Sequence, residues 1–256
     1  MDLGLERRAA VVTGASRGLG RAIALALASE GAHVTAVARN PQPLLELPAV
    51  GQGAGRIATC ACDLSKASDI ERLREPLEKA DVLILNTGGP PPGGAMEPSD
   101  RLWSEQFEAM FLSAIRLTRL ALPGMRARRF GRLIAIVSSS VEVPIPALVI
   151  SNSIRLALVG WAKTLAAEVA AEGITVNCLA PGRIATDRLA QLDEARARRE
   201  GISLDEVEHQ SRRSIPAGRY GEPEEFGAMA AFLCSPRAGY ITGSVIRVDG
   251  GLVRSI

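Results

Sequence analysis

The sequence predicts an α/β fold: a doubly wound parallel sheet with helices on both faces. Three observations predict it. Short apolar runs alternate with longer helical stretches along the chain. The runs are continuously apolar rather than alternating in polarity, as strands covered on both faces must be. A glycine-rich turn joins the first run to the first helical stretch, and repeated β-α-β order with right-handed crossovers extends the sheet.

The elements follow in order. Residues 9–13 read as a strand, and 18–30 as a helix with an alanine-leucine face. Strands at 33–38 and 56–62 precede a polar-faced helix at 66–79. Residues 81–86 form an apolar strand, 99–128 a long helix, and 132–138 another buried strand. A helix at 149–171, a strand at 174–179, a helix at 223–234 and a strand at 245–248 complete the pattern. Across 256 residues there is no repeat, low-complexity linker or composition break, so residues 1–256 are expected to form one domain.

Composition excludes several classes. A hydrophobic share of 47% and a charged share of 23% give a globular chain with ample core material. The net charge of +2, from 30 basic and 28 acidic residues, gives no electrostatic case for nucleic acid or an anionic membrane. No stretch approaches the roughly 18 apolar residues of a membrane span. Charges within Met1-Asp2-Leu3-Gly4-Leu5-Glu6-Arg7-Arg8 stand where a signal peptide needs its apolar core, so a cytoplasmic protein is expected. Four cysteines, at 60, 62, 178 and 234, make no disulfide scaffold, and no metal site is expected.

Two loops stand out. Gly88-Gly89-Pro90-Pro91-Pro92-Gly93-Gly94 follows the fourth strand, at the sheet edge where ligands bind. Residues 183–216 form a long polar segment with helical spacing in its middle, the pattern of a helical lid.

The turn Thr13-Gly14-Ala15-Ser16-Arg17-Gly18-Leu19-Gly20 lies between strand and helix. Its glycines allow a tight turn and close backbone approach, and the helix N-terminus offers free N–H groups to a pyrophosphate. Gly14, Ser16, Gly18, Leu19 and Gly20 are therefore candidate cofactor contacts. An acid at the end of the second strand would accept the ribose hydroxyls of NAD. Here that strand ends Val37-Ala38-Arg39-Asn40. Arg39, beside Asn40, and Arg17 within the turn suit an adenosine 2′-phosphate, which predicts NADP(H).

With these motifs the chain resembles a short-chain dehydrogenase/reductase of the 3-oxoacyl-acyl-carrier-protein reductase type, a Rossmann-like fold. The further markers are Asp63-Leu64, Asn86-Thr87-Gly88-Gly89, Ser138, Asn177 through Pro181-Gly182 to Thr186, Gly221-Glu222-Pro223-Glu224-Glu225, Ile241-Thr242-Gly243 and Val248-Asp249-Gly250-Gly251. The resemblance implies that Asp63 and Leu64 flank the adenine. It implies that Asn86 and Gly88 line the adenosine ribose, and that Pro181, Gly182, Ile184 and Thr186 hold the nicotinamide carboxamide. It also implies a homotetramer in which the long helices pair between copies, with Leu156, Leu158, Val159, Ala162, Leu165 and Ala166 as the apolar face.

The resemblance breaks at the proton-transfer site. The family uses a tyrosine and a lysine four residues apart on the helix after Ser138. Here the chain reads Ser151-Asn152-Ser153-Ile154-Arg155, and the family's asparagine on the preceding long helix falls on Met110. A serine hydroxyl does not titrate near neutral pH and falls short of an oxygen placed for tyrosine. Arg155 keeps a charge and can bond a ribose, but it cannot shuttle a proton. Ser138, Ser151 and Arg155 remain as the candidate catalytic set. Ser139 and Ser140 share the limit of Ser138. The family match places neither Tyr220 nor Tyr240 at the reacting carbon, and His209 is the one histidine of the 183–216 segment and so its candidate acid–base group.

Three functions compete. The first is an NADP(H)-dependent oxidoreductase with a non-standard site, acting on a small carbonyl or hydroxyl substrate. The second is an NADP(H)-binding protein without hydride transfer, a sensor or a partner subunit of an active homologue. The third is a dehydration or isomerisation on the same scaffold.

Overall fold

The computed structural model describes residues 2–40, 42–47 and 55–255. Seven parallel strands form one sheet: β1 (Ala9–Thr13), β2 (His33–Ala38), β3 (Arg56–Ala61), β4 (Val82–Leu85), β5 (Gly131–Ile136), β6 (Ile174–Pro181) and β7 (Val245–Val248). Their order is β3-β2-β1-β4-β5-β6-β7. Strands β4 and β5 are buried throughout, β4 as its unbroken apolar sequence requires; the one charge in β5, Arg132, is satisfied by the carbonyls of Ser235, Gly131 and Gly173.

Helices cover both faces. On one side α1 (Gly18–Ser29) packs Ile23, Ala24 and Leu27 onto the sheet, beside a later helix carrying the buried Phe226. Between β2 and β3 lies a short α2 (Gln42–Leu45). The other side carries α3 (Ala67–Glu71) and α4 (Arg74–Lys79), then α5 (Asp100–Phe107), α6 (Ser113–Arg128) and α7 (Val149–Val169). The later segments are α8 (Asp187–Glu200), α9 (Leu204–Ser214) and α10 (Pro223–Cys234).

Three expected elements differ in form. The helix expected at 66–79 is two helices, because Pro76 has no N–H to bond the Arg72 carbonyl and must sit in the first turn of α4. The long helix at 99–128 is interrupted by a π-helical turn at Glu108–Leu112, which swings Met110 into a buried cluster with Ile150 and Ile154. The expected apolar outer face of α7 is mostly spent within the chain. Leu158, Ala162, Leu165 and Ala166 are buried against the sheet, whereas Leu156 is 53% exposed.

The ligand edge is set by topology. Chain order reverses between β1 and β4, and the crevice outside the carboxyl ends of their strands is where ligands bind in such sheets. The loop at 88–94 is tied down beside it. Gly93 N–H donates to Ala147 O at 2.7 Å, and Val149 N–H donates back to Gly93 O at 3.4 Å.

Candidate cofactor and active site

The site begins where β1 meets β4. The Thr13 hydroxyl accepts from Asn86 N–H at 2.8 Å and lies 2.8 Å from Asn86 O and 3.0 Å from Ile84 O. Asn86 Nδ2 donates to Gly14 O at 3.3 Å. The Asn86 side chain therefore braces the turn from below. Gly14 (φ +60°) and Gly18 (φ +55°) hold left-handed backbone that glycine adopts without strain. A Cβ at Gly20 would lie 2.2 Å from Gly14 O, so the turn closes only around glycine there.

Arg17 caps α1 without a side-chain cap bond, and no acid stands in the first helical turn. The N–H groups of that turn are therefore open to an anion. Ser16 and Leu19 are both half-buried, and Leu19 leans on the core. Arg17 reaches Asp187 at 4.0 Å, both side chains more than two-thirds exposed.

Arg39 and Asn40 are exposed at the end of β2. Burial works upward on the Asp63 carboxyl, but hydrogen bonds from Ser65 and the charges of Arg39 and Lys66 outweigh it and hold Asp63 below the usual carboxylate range. Arg39 and Asp63 thus share one end of the crevice. Leu64 is half-buried beside them, and space for a Cβ stands open at Gly88.

The other wall follows β6. Gly182 N–H donates to Val248 O at 2.9 Å, and a Cβ on Gly182 would meet Asp249 at 2.6 Å, which locks Pro181-Gly182 beside β7. The Ile184 side chain is buried in the core, so only its backbone faces the crevice. Thr186 caps α8, accepting from Leu189 N–H at 3.4 Å, and its methyl lies 3.5 Å from the Cβ position of Gly18.

Beyond β5, Ser138 is half-buried and accepts from Ser140 N–H at 3.1 Å. Ser151 and Arg155 are both buried on α7. Arg155 Nε donates to Ser151 Oγ at 3.2 Å, and its Nη1 donates to Ile136 O. Burial, and secondarily the charge of Arg188, push the Arg155 guanidinium down to about 10. His209 is exposed on α9. The Tyr220 hydroxyl donates to the buried Asp193 at 2.7 Å, and Asp193 also accepts from Arg183 at 2.8 Å. Tyr240 is fully exposed.

In the sequence Arg188 is one of the polar residues within the 183–216 segment. Its place directly after the Thr186-Asp187 pair was the available signal. Gly89 is coupled to it, since a Cβ there would lie 2.9–3.1 Å from the Arg188 guanidinium. Among the described residues no group of three or more His, Cys, Asp or Glu could hold a metal ion, and no helix is long and apolar enough to cross a membrane.

A seven-stranded parallel sheet with a glycine turn at its switch point defines a Rossmann-like α/β protein. Residues 14–253 match the family model described as Enoyl-(Acyl carrier protein) reductase. The chain is 35% identical to 3-oxoacyl-[acyl-carrier-protein] reductase FabG of Escherichia coli (strain K12) over 253 residues, 98% of this chain and 99% of that protein. It is also 35% identical to dehydrogenase/reductase SDR family member 4 of Bos taurus over 253 residues, covering 96% of this chain and 88% of that one. L-sorbose reductase from Gluconobacter frateurii, solved with NADPH and L-sorbose, superposes with a TM-score of 0.93 at 33% identity over all of both chains. This chain belongs to the short-chain dehydrogenase/reductase family.

Proposed function

We propose that the protein is an NADP(H)-dependent oxidoreductase acting on a small carbonyl or hydroxyl substrate through a non-standard site. The observation that carries this reading is the intact cradle. Gly14, Gly18 and Gly20 leave a Cβ-free turn beneath open N–H groups, and Arg39 stands where an NAD site has an acid. The L-sorbose reductase similar to this chain was solved with NADPH.

The residues divide along the crevice. Arg39, Asn40 and Arg17 take the adenosine 2′-phosphate, while Asp63 and Leu64 flank the adenine. Gly88 leaves room for the ribose, and Asn86 acts by holding Gly14 in place. Ser16 and Leu19 line the phosphate turn. Pro181, Gly182, Thr186 and the backbone of Ile184 border the nicotinamide side. Arg155 holds a fixed positive charge beneath it. The two helices of residues 183–216 act as a lid on a single domain.

When bound, the cofactor supplies hydride transfer. Ser138 offers a hydroxyl to the substrate oxygen, and Arg155 favours negative charge nearby. The Ser151 hydroxyl is engaged by Arg155 and lacks the reach of tyrosine. Loss of a positioned general acid costs roughly 10²–10⁴-fold, so turnover is slow in this reading.

The Ser151–Arg155 bond favours a second reading, in which NADP(H) binds without hydride transfer. The apolar cluster of Met110, Ile150 and Ile154 supports it, because it leaves no polar relay on that wall. Assays of NADPH oxidation with ketones and 3-oxoacyl thioesters separate the two. Turnover establishes the oxidoreductase; tight NADPH binding with no turnover across the panel establishes the binding protein.

A homotetramer belongs to the same proposal, with Leu156 as the exposed apolar residue of α7 available to a neighbouring copy. Sedimentation at micromolar concentration tests it, and a stable monomer would exclude it.

A further inference from the structure

We propose that Arg188 is a strap for the dinucleotide's diphosphate, exchanging its bond to the Pro90 carbonyl for the phosphate oxygens. The proposal rests on the NADP(H) reading and adds to it a residue that holds either nicotinamide cofactor, whatever its 2′-group.

Placement argues first. Arg188 lies in the first turn of α8, just after the Thr186 cap, and the Thr186 methyl lies 3.5 Å from where a Cβ on Gly18 of the phosphate turn would stand. From there the side chain crosses to the opposite loop, where Nη2 donates to Pro90 O at 2.7 Å. The guanidinium occupies the space that a Cβ on Gly89 would need, 2.9–3.1 Å away. The side chain therefore spans from the start of α8, beside the phosphate turn, to the loop that follows β4.

Charge argues second. Arg188 is half-buried, and no acid forms an ion pair with it among the described residues. Burial lowers its proton affinity, and the charge of Arg17 lowers it further. Arg188 in turn acts on Arg155. Three cations thus follow one another from the glycine turn to Ser151. Of the three, Arg17 alone has an acid, Asp187, within ion-pair distance among the described residues, 4.0 Å away and largely in water. An anion seated on the turn would relieve this repulsion. A diphosphate has that charge, and a guanidinium fork matches two phosphate oxygens. The Pro90 carbonyl is a neutral acceptor, so trading it for a charged one favours the bound state.

Calorimetry with NADPH, NADH, 2′-AMP and acetoacetate tests the strap in Arg188→Met and Arg188→Lys. Arg188→Met should weaken NADPH and NADH by the same factor, about tenfold or more, and leave 2′-AMP unchanged. Arg188→Lys should recover part of the loss. Unchanged NADPH affinity in Arg188→Met, with wild type binding normally, overturns the strap and leaves the cofactor reading standing. So does an equal loss for 2′-AMP with a lowered melting temperature, which marks a folding effect. If acetoacetate rather than the cofactor loses affinity, Arg188 serves a substrate carboxylate and the diphosphate assignment is wrong. Wild-type protein that binds neither NADPH nor NADH removes the cofactor reading, and the strap with it.

Discussion

Arg155 Nε donates to Ser151 Oγ across one turn of α7, at 3.2 Å. Positions four apart on a helix face each other, so these side chains meet without help from the rest of the fold. The guanidinium's other arm ends on Ile136 O. This is a buried cation held by a hydroxyl and a carbonyl, with no carboxylate among its partners in the described residues. A buried charge without an opposite partner costs stability, and the proposed cofactor site gives this one a use.

Arg155→Met should therefore stabilise the unliganded protein while weakening NADPH. Removing the desolvated charge is worth about 1 kcal/mol beyond the two lost hydrogen bonds, or a rise of roughly 2–4 °C in melting temperature. The sign follows from the downward shift to about 10. The fold disfavours the charged form, so the penalty is fully present below about pH 10 and is relieved only as pH rises through that value. The gap between wild type and variant should thus stay constant from pH 6 to 9, as scanning calorimetry can check. A variant that melts lower than wild type would mean that the two hydrogen bonds outweigh the burial cost.

Cofactor choice should turn on Arg39. Isothermal titration is expected to show NADPH tighter than NADH by at least tenfold, about 1.4 kcal/mol. Arg39→Asp should abolish or reverse that preference, because an acid at the end of β2 accepts ribose hydroxyls and repels a 2′-phosphate. Equal affinities in wild type, or an unchanged ratio in the variant, would remove the basis for NADP(H).

The start of α10 carries an acid-sensitive brace. Glu225 accepts from Arg219 at 2.7 and 2.8 Å and from the Glu222 N–H at 2.8 Å. The Arg219 bonds above all, together with the Glu222 N–H, bring its carboxyl from 4.5 down to about 2. Because the folded value is depressed, the contribution is present above about pH 4.5 and is lost as pH falls towards 2. Glu225→Gln should lower the melting temperature at pH 7. It should also flatten the acid limb of the melting curve between pH 4.5 and 2. Parallel acid limbs in the two proteins would show that Glu225 is not the responsible group.

Much of this was legible in the sequence, because the strands are short and mostly apolar and the glycine turn has a fixed spacing, although β3 at the sheet edge is largely exposed. All seven strands stand within a few residues of their expected places, and the 183–216 segment is helical as its spacing indicated. Breaks within helices were less legible. The Pro76 interruption could have been read from proline's missing N–H, whereas the π-turn at Glu108–Leu112 depends on how Met110 packs against Ile150 and Ile154. The α7 face was only partly legible, because periodicity marks apolar positions without saying whether the sheet or a neighbour covers them. Asn86 was legible as a site residue but not as a brace, since only the fold brings Gly14 O to its amide. Arg188 required the same kind of contact, from α8 to a loop 98 residues earlier.

The sharpest expectation concerns the Ser151–Arg155 pair itself. Ser138 stands at the family spacing from both positions, and the phosphate turn is complete. Ser151→Tyr combined with Arg155→Lys should then add a proton donor with reach and a cation that tunes it. Either substitution alone should do little. Tyrosine beside Arg155 lacks the lysine's role, and lysine beside serine has no phenol to act on, so the two behave as one unit. Wild-type turnover should lack the pH dependence of a tuned phenol, and the double variant should acquire one. Ser151 is buried, so the larger side chain should overpack its surroundings by ~1–3 kcal/mol, and a melting curve must accompany each assay. A rise of about 10²-fold or more in NADPH-dependent carbonyl reduction would place the missing step at these two positions. A double variant that folds and binds NADPH, yet reduces none of the ketones or thioesters, would show that the substrate cleft has also diverged. The binding protein without hydride transfer would then be the correct reading.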